Sequence, residues 1–179
     1  MPRWVGLLFI LISAGFLAGA FSFAADLTPG VPPEPPTASE QTLAIVVNLS
    51  NPTENLSMAE LHKIFLGERS HWPNGRRITL VMMAPGQPER LAILSLIYRM
   101  NENDFNNHFL RGLFTGEVFV SPKTLATPVG VRKFIFNVPG AIGYLRSSDV
   151  DSSVKIVRID ERSPYEKAYP LHVPPPSAK

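Results

Sequence analysis

The feature that most constrains the fold of this chain is a continuous apolar run, Leu43 to Val47, which ends at Asn48. A run of consecutive apolar side chains suits a strand that is buried on both faces, as in a parallel or mixed sheet. Ile78 to Met83 is predicted to be a second buried strand. Stretches with helical spacing separate the apolar runs, and strands that alternate with helices predict a layered α/β domain.

Start signals predict three of the helices. Ser57 and Glu60 match a capping box, in which each side chain bonds to the other residue's backbone N–H. Pro88 fits the first turn of a second helix, where a missing N–H costs nothing. Thr127 can cap a third helix, and a short helical segment is expected from Asp104 to Leu110. Apolar side chains at helical spacing are expected to face the core: Leu61, Ile64, Phe65, Leu91, Leu94, Ile97, Tyr98, Phe105, Phe109, Val131, Phe134 and Ile135.

The N-terminus predicts export. Met1 to Arg3 form a short basic region, an apolar stretch from Trp4 to Ala20 follows, and small residues at Ser22 and Ala24 suit cleavage by a signal peptidase. The alternative is an uncleaved membrane anchor, because the apolar stretch nearly reaches spanning length. Either way we expect the rest of the chain to be periplasmic.

The remaining sequence predicts one packed domain between two proline-rich segments. Residues 1–24 are interpreted as the signal peptide or anchor, and residues 25–41 as a stiff proline-rich linker. Residues 42–160 would form the domain, in which Ala141 to Leu145 is a further strand and Val154 to Ile159 an edge strand, because its side chains alternate. Residues 161–179 are expected to be a loose proline-rich tail.

Composition excludes several classes of function. The formal net charge is only +2 and there is no run of lysine or arginine, so no strong field favours nucleic acid or an anionic membrane. The absence of cysteine excludes disulfides, thiolate metal sites and a cysteine nucleophile. The four histidines show no metal-ligand spacing, and no catalytic motif is present. We therefore expect a non-enzymatic protein without a metal or cofactor, and no nucleic-acid partner.

Three blocks of sequence, in this order, carry a resemblance to a known family. They are the helix that ends Ile64-Phe65-Leu66-Gly67, the loop Trp72-Pro73-Asn74-Gly75 and the segment Pro139-Gly140-Ala141-Ile142-Gly143-Tyr144. The order resembles the distal lobe of the phosphate-binding proteins of ABC phosphate importers, which are type II periplasmic solute-binding proteins. The resemblance covers about Leu43 to Leu145. It implies one lobe of such a protein, which is an α/β layered mixed sheet flanked by helices. The chain as a whole is similar to small single-lobe relatives of the family.

The resemblance also implies a phosphate site after the strand Ile78 to Met83, but the residues that would grip phosphate are replaced. In the family an arginine, an acidic residue and a Ser-Gly-Thr helix start stand there. Here Met83 and Pro85 take the first two places, and Gln87-Pro88-Glu89 takes the third. Pro88 removes a donor N–H and Glu89 adds a negative charge at a helix start, where an anion would dock. The second lobe, with its own anion loop, is not evident in the sequence.

Four residues are the candidate ligand-binding residues. Arg90 is the cation left at the helix start, beside Gln87 and the backbone of Gly86, and could hold phosphate, another small anion or a partner's carboxylate. The alternative for Arg90 is a surface arginine near Glu89. Asn48 ends the first strand, on the side where ligands gather in open α/β sheets, or it is a turn residue that bonds its own backbone.

Two functions remain open from the sequence. The first is an exported solute-binding-protein-like domain, related to phosphate transport, with weak or altered anion binding. The second is a protein-interaction or scaffold module that has lost ligand binding, for which Met82 and Met83 would supply an adaptable apolar contact unless they are buried. A homodimer, or a membrane transporter or sensor, is the expected kind of partner. Trp72 would line a ligand surface or, alternatively, fasten its loop to the core.

Overall fold

The computed structural model describes residues 42–173. They form a six-stranded mixed sheet flanked by helices, which confirms the predicted α/β fold class. The strands are β1 Leu43–Val47, β2 Asn55–Leu56, β3 Thr79–Met83, β4 Lys123–Leu125, β5 Ala141–Arg146 and β6 Lys155–Ile159. The helices are α1 Met58–Phe65, α2 Pro88–Ile93, which continues as a π-helical turn Leu94–Tyr98, α3 Glu102–Thr115 and α4 Pro128–Asn137. The spatial order of the strands is β2-β6-β1-β5-β3-β4.

The pairing register defines two opposite edges of this sheet. β1 runs antiparallel to β5, so Val47 lies opposite Ile142, whereas β3 runs parallel to β5 and begins opposite Ala141. The C-terminal end of β1 is therefore at the same edge as the N-terminal end of β3. We call this end of the strands the far edge. The opposite end of the strands, where β3 ends at Met83, is the crevice edge. The two ends of the five-residue strand β3 are about 13 Å apart at ~3.3 Å per residue.

The predicted helix starts are confirmed. The Ser57 side chain accepts a hydrogen bond from the Glu60 N–H at 3.2 Å, and the Glu60 carboxylate accepts one from the Ser57 N–H at 3.0 Å. The Thr127 hydroxyl accepts from the Gly130 N–H and caps α4. Gly67 follows α1 with a φ of +77°, and a Cβ there would lie 2.7 Å from the Val120 carbonyl oxygen. Only glycine suits both the conformation and the space.

The core lies on the faces of the sheet. All five residues of β1 are buried, as a strand covered on both faces requires. Next to it, α1, the π-helical turn and α3 contribute a cluster of aromatic side chains, in which the Tyr98 hydroxyl donates to the Phe65 carbonyl at 2.8 Å. Tyr98 and Phe105 meet edge to face with ring centroids 5.0 Å apart. These rings hold α3 against the crevice edge.

The structure corrects several boundaries. The tail predicted to be loose from residue 161 is packed as far as it is described: Tyr169, Leu171 and Val173 are buried, and the Leu43 N–H donates to the Leu171 carbonyl. β6 is not an edge strand, because the short β2 pairs beside it. Leu91 is exposed rather than part of the helical stripe.

Two elements differ in extent from the sequence prediction. α3 extends beyond the predicted Asp104 to Leu110 at both ends, and β4 is a strand that the sequence did not predict. The signal peptide or anchor, the linker and residues 174–179 lie outside the described residues. Among residues 42–173, no helix has the length and apolar character needed to cross a membrane.

Candidate functional site

A cavity of about 410 Å³ opens at the crevice edge, beside the C-terminal ends of the parallel strands β3 and β4. In open α/β sheets ligands bind at this end of the strands. The cavity is the candidate site, and we refer to it as the crevice. Its lining residues are Pro85, Arg90, Glu102, Phe105, Asn106, Phe109, Ser121, Pro122 and Thr124.

Arg90 lies in the wall of the crevice, and its guanidinium is already occupied. Its Nε donates to both carboxylate oxygens of Glu102, at 3.0 and 3.1 Å, and its Nη2 bonds to the same carboxylate. Its Nη1 donates to the Met83 carbonyl at 2.9 Å. The guanidinium carbon lies 4.8 Å from the centre of the Phe105 ring. Arg90 is only 3% exposed, so the alternative of a surface arginine is wrong.

The pairing removes most of the field that an anion would need. A guanidinium and a carboxylate in contact cancel each other's charge at distances larger than their separation, so an incoming phosphate meets a neutral pair. The fork of the arginine, which elsewhere grips phosphate through two N–H groups, is matched here to a carboxylate in the same way. Glu102 thus occupies the position relative to Arg90 that an anionic ligand would otherwise take.

The backbone at the end of β3 offers few further donors. The Met83 N–H donates to the Tyr144 hydroxyl at 3.0 Å, and the Ala84 N–H donates to the Leu125 carbonyl at 2.9 Å. Burial raises the pKa of the Tyr144 phenol, against the opposing effect of the bond from the Met83 N–H, so the phenol stays neutral. The N–H of Met83, at the end of β3, and the N–H of Ala84, directly after it, are therefore both used within the fold.

The start of α2 is equally unsuited to an anion. Pro88 is its first residue and has no N–H, and α2 is only six residues long before it becomes a π-helical turn. Glu89, which the sequence placed at the mouth of the site, is buried and forms an ion pair with Arg146 from β5. Two ion pairs thus fasten α2 to its neighbours. Arg90 with Glu102 joins α2 to α3, and Glu89 with Arg146 joins α2 to the sheet.

The candidate residues from the sequence divide between the two edges of the sheet. Gly86 is exposed, with a φ of +84°, and Gln87 precedes α2 without a side-chain capping bond; both lie in the turn beside Arg90. Asn48 lies at the far edge, away from them. Its amide donates to the Ile135 carbonyl at 2.8 Å and to the Phe136 carbonyl at 2.6 Å, and its oxygen accepts from the Ser50 N–H at 2.9 Å. Asn48 therefore joins β1 to the end of α4.

The other residues considered from the sequence, Trp72, Met82 and Met83, are buried in the core. Trp72 is buried and its Nε1 donates to the Gly140 carbonyl at 3.0 Å, which fastens the loop to β5. Met82 and Met83 are buried in β3, so they do not form an exposed apolar contact. Within residues 42–173, no group of three or more His, Asp or Glu side chains is placed to hold a metal ion.

Several residues of the crevice were missed by the sequence reasoning. Glu102 follows Arg90 by twelve residues and lies on a different helix, so the periodicity of a single element does not connect the two. Asn106, Ser121 and Thr124 supply the neutral polar part of the lining. The only local signal for Glu102 is Asn101, whose side chain accepts from the Asp104 N–H and so begins α3 at Glu102.

Comparison with solved structures shows which fold this is. An ABC-type phosphate transport receptor from Vibrio cholerae matches with a TM-score of 0.58 at 22% identity, over 69% of this chain and 48% of that one. A putative phosphate ABC transporter substrate-binding protein with bound phosphate, from Clostridium perfringens, matches with a TM-score of 0.57 at 20% identity, over 69% and 46%. PstS from Borrelia burgdorferi matches with a TM-score of 0.54 at 13% identity, over 69% and 49%.

The chain spans about half the length of the structures it matches. No protein-family model matches it, and no curated protein does. At these identities the likeness concerns the fold. The chain has the fold of part of a phosphate-type substrate-binding protein, which confirms the resemblance noted in the sequence.

Proposed function

We propose that this protein is an exported, non-enzymatic domain of the substrate-binding-protein type whose anion binding is weak or altered. The observation that carries the proposal is the contact of Arg90 with Glu102 and Met83, which leaves the crevice electrically neutral. The fold and the position of the crevice support a relation to solute binding. The occupied guanidinium argues against tight capture of phosphate by this chain.

The test is calorimetric titration of the chain from Ala25 onward with phosphate, sulfate and a panel of small carboxylates. This chain keeps all of residues 42–173 and therefore the whole described core. The wild type is expected to show no saturable phosphate binding below the millimolar range. Glu102→Gln should gain binding, because Arg90 would then lie beside the crevice with an uncompensated charge. Glu117→Gln, an exposed position on the loop after α3, is the matched control.

A gain of anion affinity in Glu102→Gln alone supports the proposal. Micromolar phosphate binding by the wild type would contradict it, and so would equal behaviour of the Glu102 and Glu117 variants. Arg90→Ala is unsuitable as the main variant here, because removing a buried arginine also changes stability.

A second function, that of a protein-interaction module, is favoured by one exposed surface. Leu110, Leu113 and Phe114 form an exposed apolar stripe on the C-terminal half of α3, and Phe114 is 86% exposed. With ~200 Å² for a phenylalanine, Phe114 alone exposes about 170 Å². Together the three approach the few hundred Å² beyond which exposed apolar patches on monomers are uncommon. Exposed Asn103, Asn106 and Asn107 continue the same helix face and would form a polar rim.

The occupant that we propose for this stripe is a second copy of the chain. The stripe can supply the apolar centre, and the asparagines part of the rim, of the ~800 Å² that each partner contributes to a standard interface. A self-complementary contact through antiparallel α3 helices would need only this one surface. Sedimentation velocity should show a concentration-dependent dimer that Phe114→Ser abolishes and Phe136→Ser, on α4, leaves intact. A wild type that stays monomeric at high concentration would rule the dimer out.

The proposal also includes export to the periplasm and a partner in the membrane. The basic, apolar and small-residue segments of residues 1–24 support a signal peptide or an anchor, and a periplasmic location. A membrane transporter or sensor is the further partner that the relation to transport proteins suggests. Mass spectrometry of the periplasmic and membrane fractions tests this: a mature N-terminus at Ala25 indicates cleavage, whereas cytoplasmic, full-length protein would contradict export.

A further inference from the structure

Two exposed apolar side chains belong to neighbouring segments at the far edge of the sheet. Leu49, directly after β1, and Phe136, in the last turn of α4, are each 52% exposed. Asn48 ties these segments together, because its amide donates to the carbonyl of Phe136 and the residue immediately precedes Leu49. This edge is opposite the crevice, so its chemistry is independent of the site described above.

Three exposed cations belong to the segments that carry or adjoin these apolar side chains. The Arg76 guanidinium reaches the far edge and donates to the Ser50 hydroxyl at 3.2 Å. Arg77 is next to it, and its carbonyl lies 2.0 Å from where a Cβ on Gly140 would be, so the loop is held tightly against the start of β5. Lys133 is one helical turn before Phe136 and therefore on the same side of α4.

The loop that carries the arginines is rigidly built. The Trp72 N–H donates to the Arg76 carbonyl at 2.8 Å and the Gly75 N–H to the Trp72 carbonyl at 2.9 Å, while the Trp72 indole is fixed to Gly140. The cations are thus presented by an ordered turn. We refer to Leu49, Arg76, Arg77, Lys133 and Phe136 together as the basic patch.

Acidic side chains at this edge do not cancel the basic patch. Among the described residues, Glu54 bonds Lys155 at 2.7 Å and Asp151 pairs with Arg132 at 3.1 Å. Both carboxylates already have their own cation, and the ion pairs among the described residues include none of Arg76, Arg77 and Lys133. The net charge of +2 for the whole chain conceals this local excess, because an average over the sequence carries no information about position.

We propose that the basic patch binds the surface of a bilayer that contains anionic phospholipids. Apolar side chains that are ringed by lysine and arginine suit the membrane interface, where the former enter the headgroup region and the latter meet lipid phosphates. The charge complementarity favours an anionic over a zwitterionic surface. The contact is weak and reversible, since only three cations and two partly exposed apolar side chains take part. It would orient the crevice away from the membrane.

The test uses the chain from Ala25 onward, which omits the N-terminal apolar stretch and keeps the core of residues 42–173. Cooperative thermal unfolding of each variant first shows that it is folded. Co-sedimentation is measured with vesicles of phosphatidylcholine and with vesicles of equal parts phosphatidylcholine and phosphatidylglycerol. The wild type should bind the anionic vesicles only, and high salt should release it.

Substitutions distinguish binding through the basic patch from binding through the net charge of the chain. The double variant Arg76→Gln with Arg77→Gln should bind anionic vesicles roughly 25-fold more weakly, from about fivefold for each cation lost near such a surface. The double variant Arg111→Gln with Lys167→Gln makes the same change of net charge at exposed positions elsewhere and should retain binding within about twofold. Leu49→Ser with Phe136→Ser should also weaken binding, because the apolar contact is lost.

Three results would overturn the proposal. One is the absence of sedimentation with anionic vesicles, and another is equal sedimentation with both kinds of vesicle. The third is an equal loss in the two charge-changed double variants, which would assign the binding to net charge. An oligonucleotide of equal charge density serves as a further arm, and tighter binding to it through Arg76 and Arg77 would also refute a lipid surface as the partner.

Discussion

Replacement of Arg90 by alanine should be among the most destabilising substitutions at the crevice edge. The side chain is 3% exposed and makes hydrogen bonds to the Glu102 carboxylate and the Met83 carbonyl, with its guanidinium over the Phe105 ring. Loss of one partner of a buried ion pair costs about 3–5 kcal/mol. Because the Glu102 side chain is 30% exposed and can be partly rehydrated, the low end of that range, about 3 kcal/mol, is expected.

Thermal and urea-induced unfolding of the chain from Ala25 measures this effect. A loss of about 3 kcal/mol corresponds to a fall in Tm of roughly 10 °C for a domain of this size. Arg90→Lys keeps the charge but not the planar fork and should lie between the wild type and Arg90→Ala. Arg111→Ala, an exposed arginine on α3, should change stability by less than about 0.5 kcal/mol. If Arg90→Ala were as mild as Arg111→Ala, the guanidinium would not be held as described, and the reasoning for a neutral crevice would fail.

Three further substitutions test how the fold is held. Ser57→Ala removes the hydroxyl that caps α1 and should cost about 1 kcal/mol. The bonds that the Ser57 N–H and hydroxyl donate to Glu60 lower the pKa of that carboxyl, so their contribution to stability is present at neutral pH and is lost as the pH falls below about 4. The alanine variant keeps the N–H and loses the hydroxyl, so urea unfolding should show a smaller deficit against the wild type in acid than at neutral pH, and an equal deficit under both conditions would contradict this. Tyr144→Phe leaves the buried Met83 N–H without an acceptor and should cost about 1–3 kcal/mol with little change in shape by circular dichroism; a neutral effect would show that the N–H has another partner. Gly140→Ala would place a Cβ 2.0 Å from a backbone oxygen and should reduce folding severely, as judged by soluble yield and Tm, whereas a native Tm would mean that the turn can shift.

Much of the fold follows from local sequence signals. β1 is a continuous apolar run and β3 becomes one after Thr79, so the burial of both strands can be predicted without knowledge of their neighbours. The caps at Ser57 and Thr127 are local hydrogen-bond patterns, which is why the starts of α1 and α4 are predicted correctly.

The errors arise where the result depends on partners that are distant in sequence. The apolar run of β1 carries no information about strand direction, and the antiparallel pairing with β5 is what sends Asn48 to the far edge. Likewise, nothing local connects Arg90 with Glu102, so an arginine that seemed available to an anion is buried and paired. In the tail, Tyr169, Leu171 and Val173 alternate as a half-buried extended segment does, a signal that the surrounding prolines obscured.

The central claim is that Glu102, rather than a ligand, occupies the guanidinium of Arg90. Nuclear magnetic resonance of the arginine Nε–H groups observes this contact directly while phosphate is added to the wild-type chain. The account predicts that the Arg90 Nε–H signal stays sharp, exchanges slowly with solvent and does not shift up to millimolar phosphate, and that the same signal moves saturably in Glu102→Gln. A wild-type signal that shifts saturably at micromolar phosphate would show that the pair opens to bind the anion, and the account would be wrong.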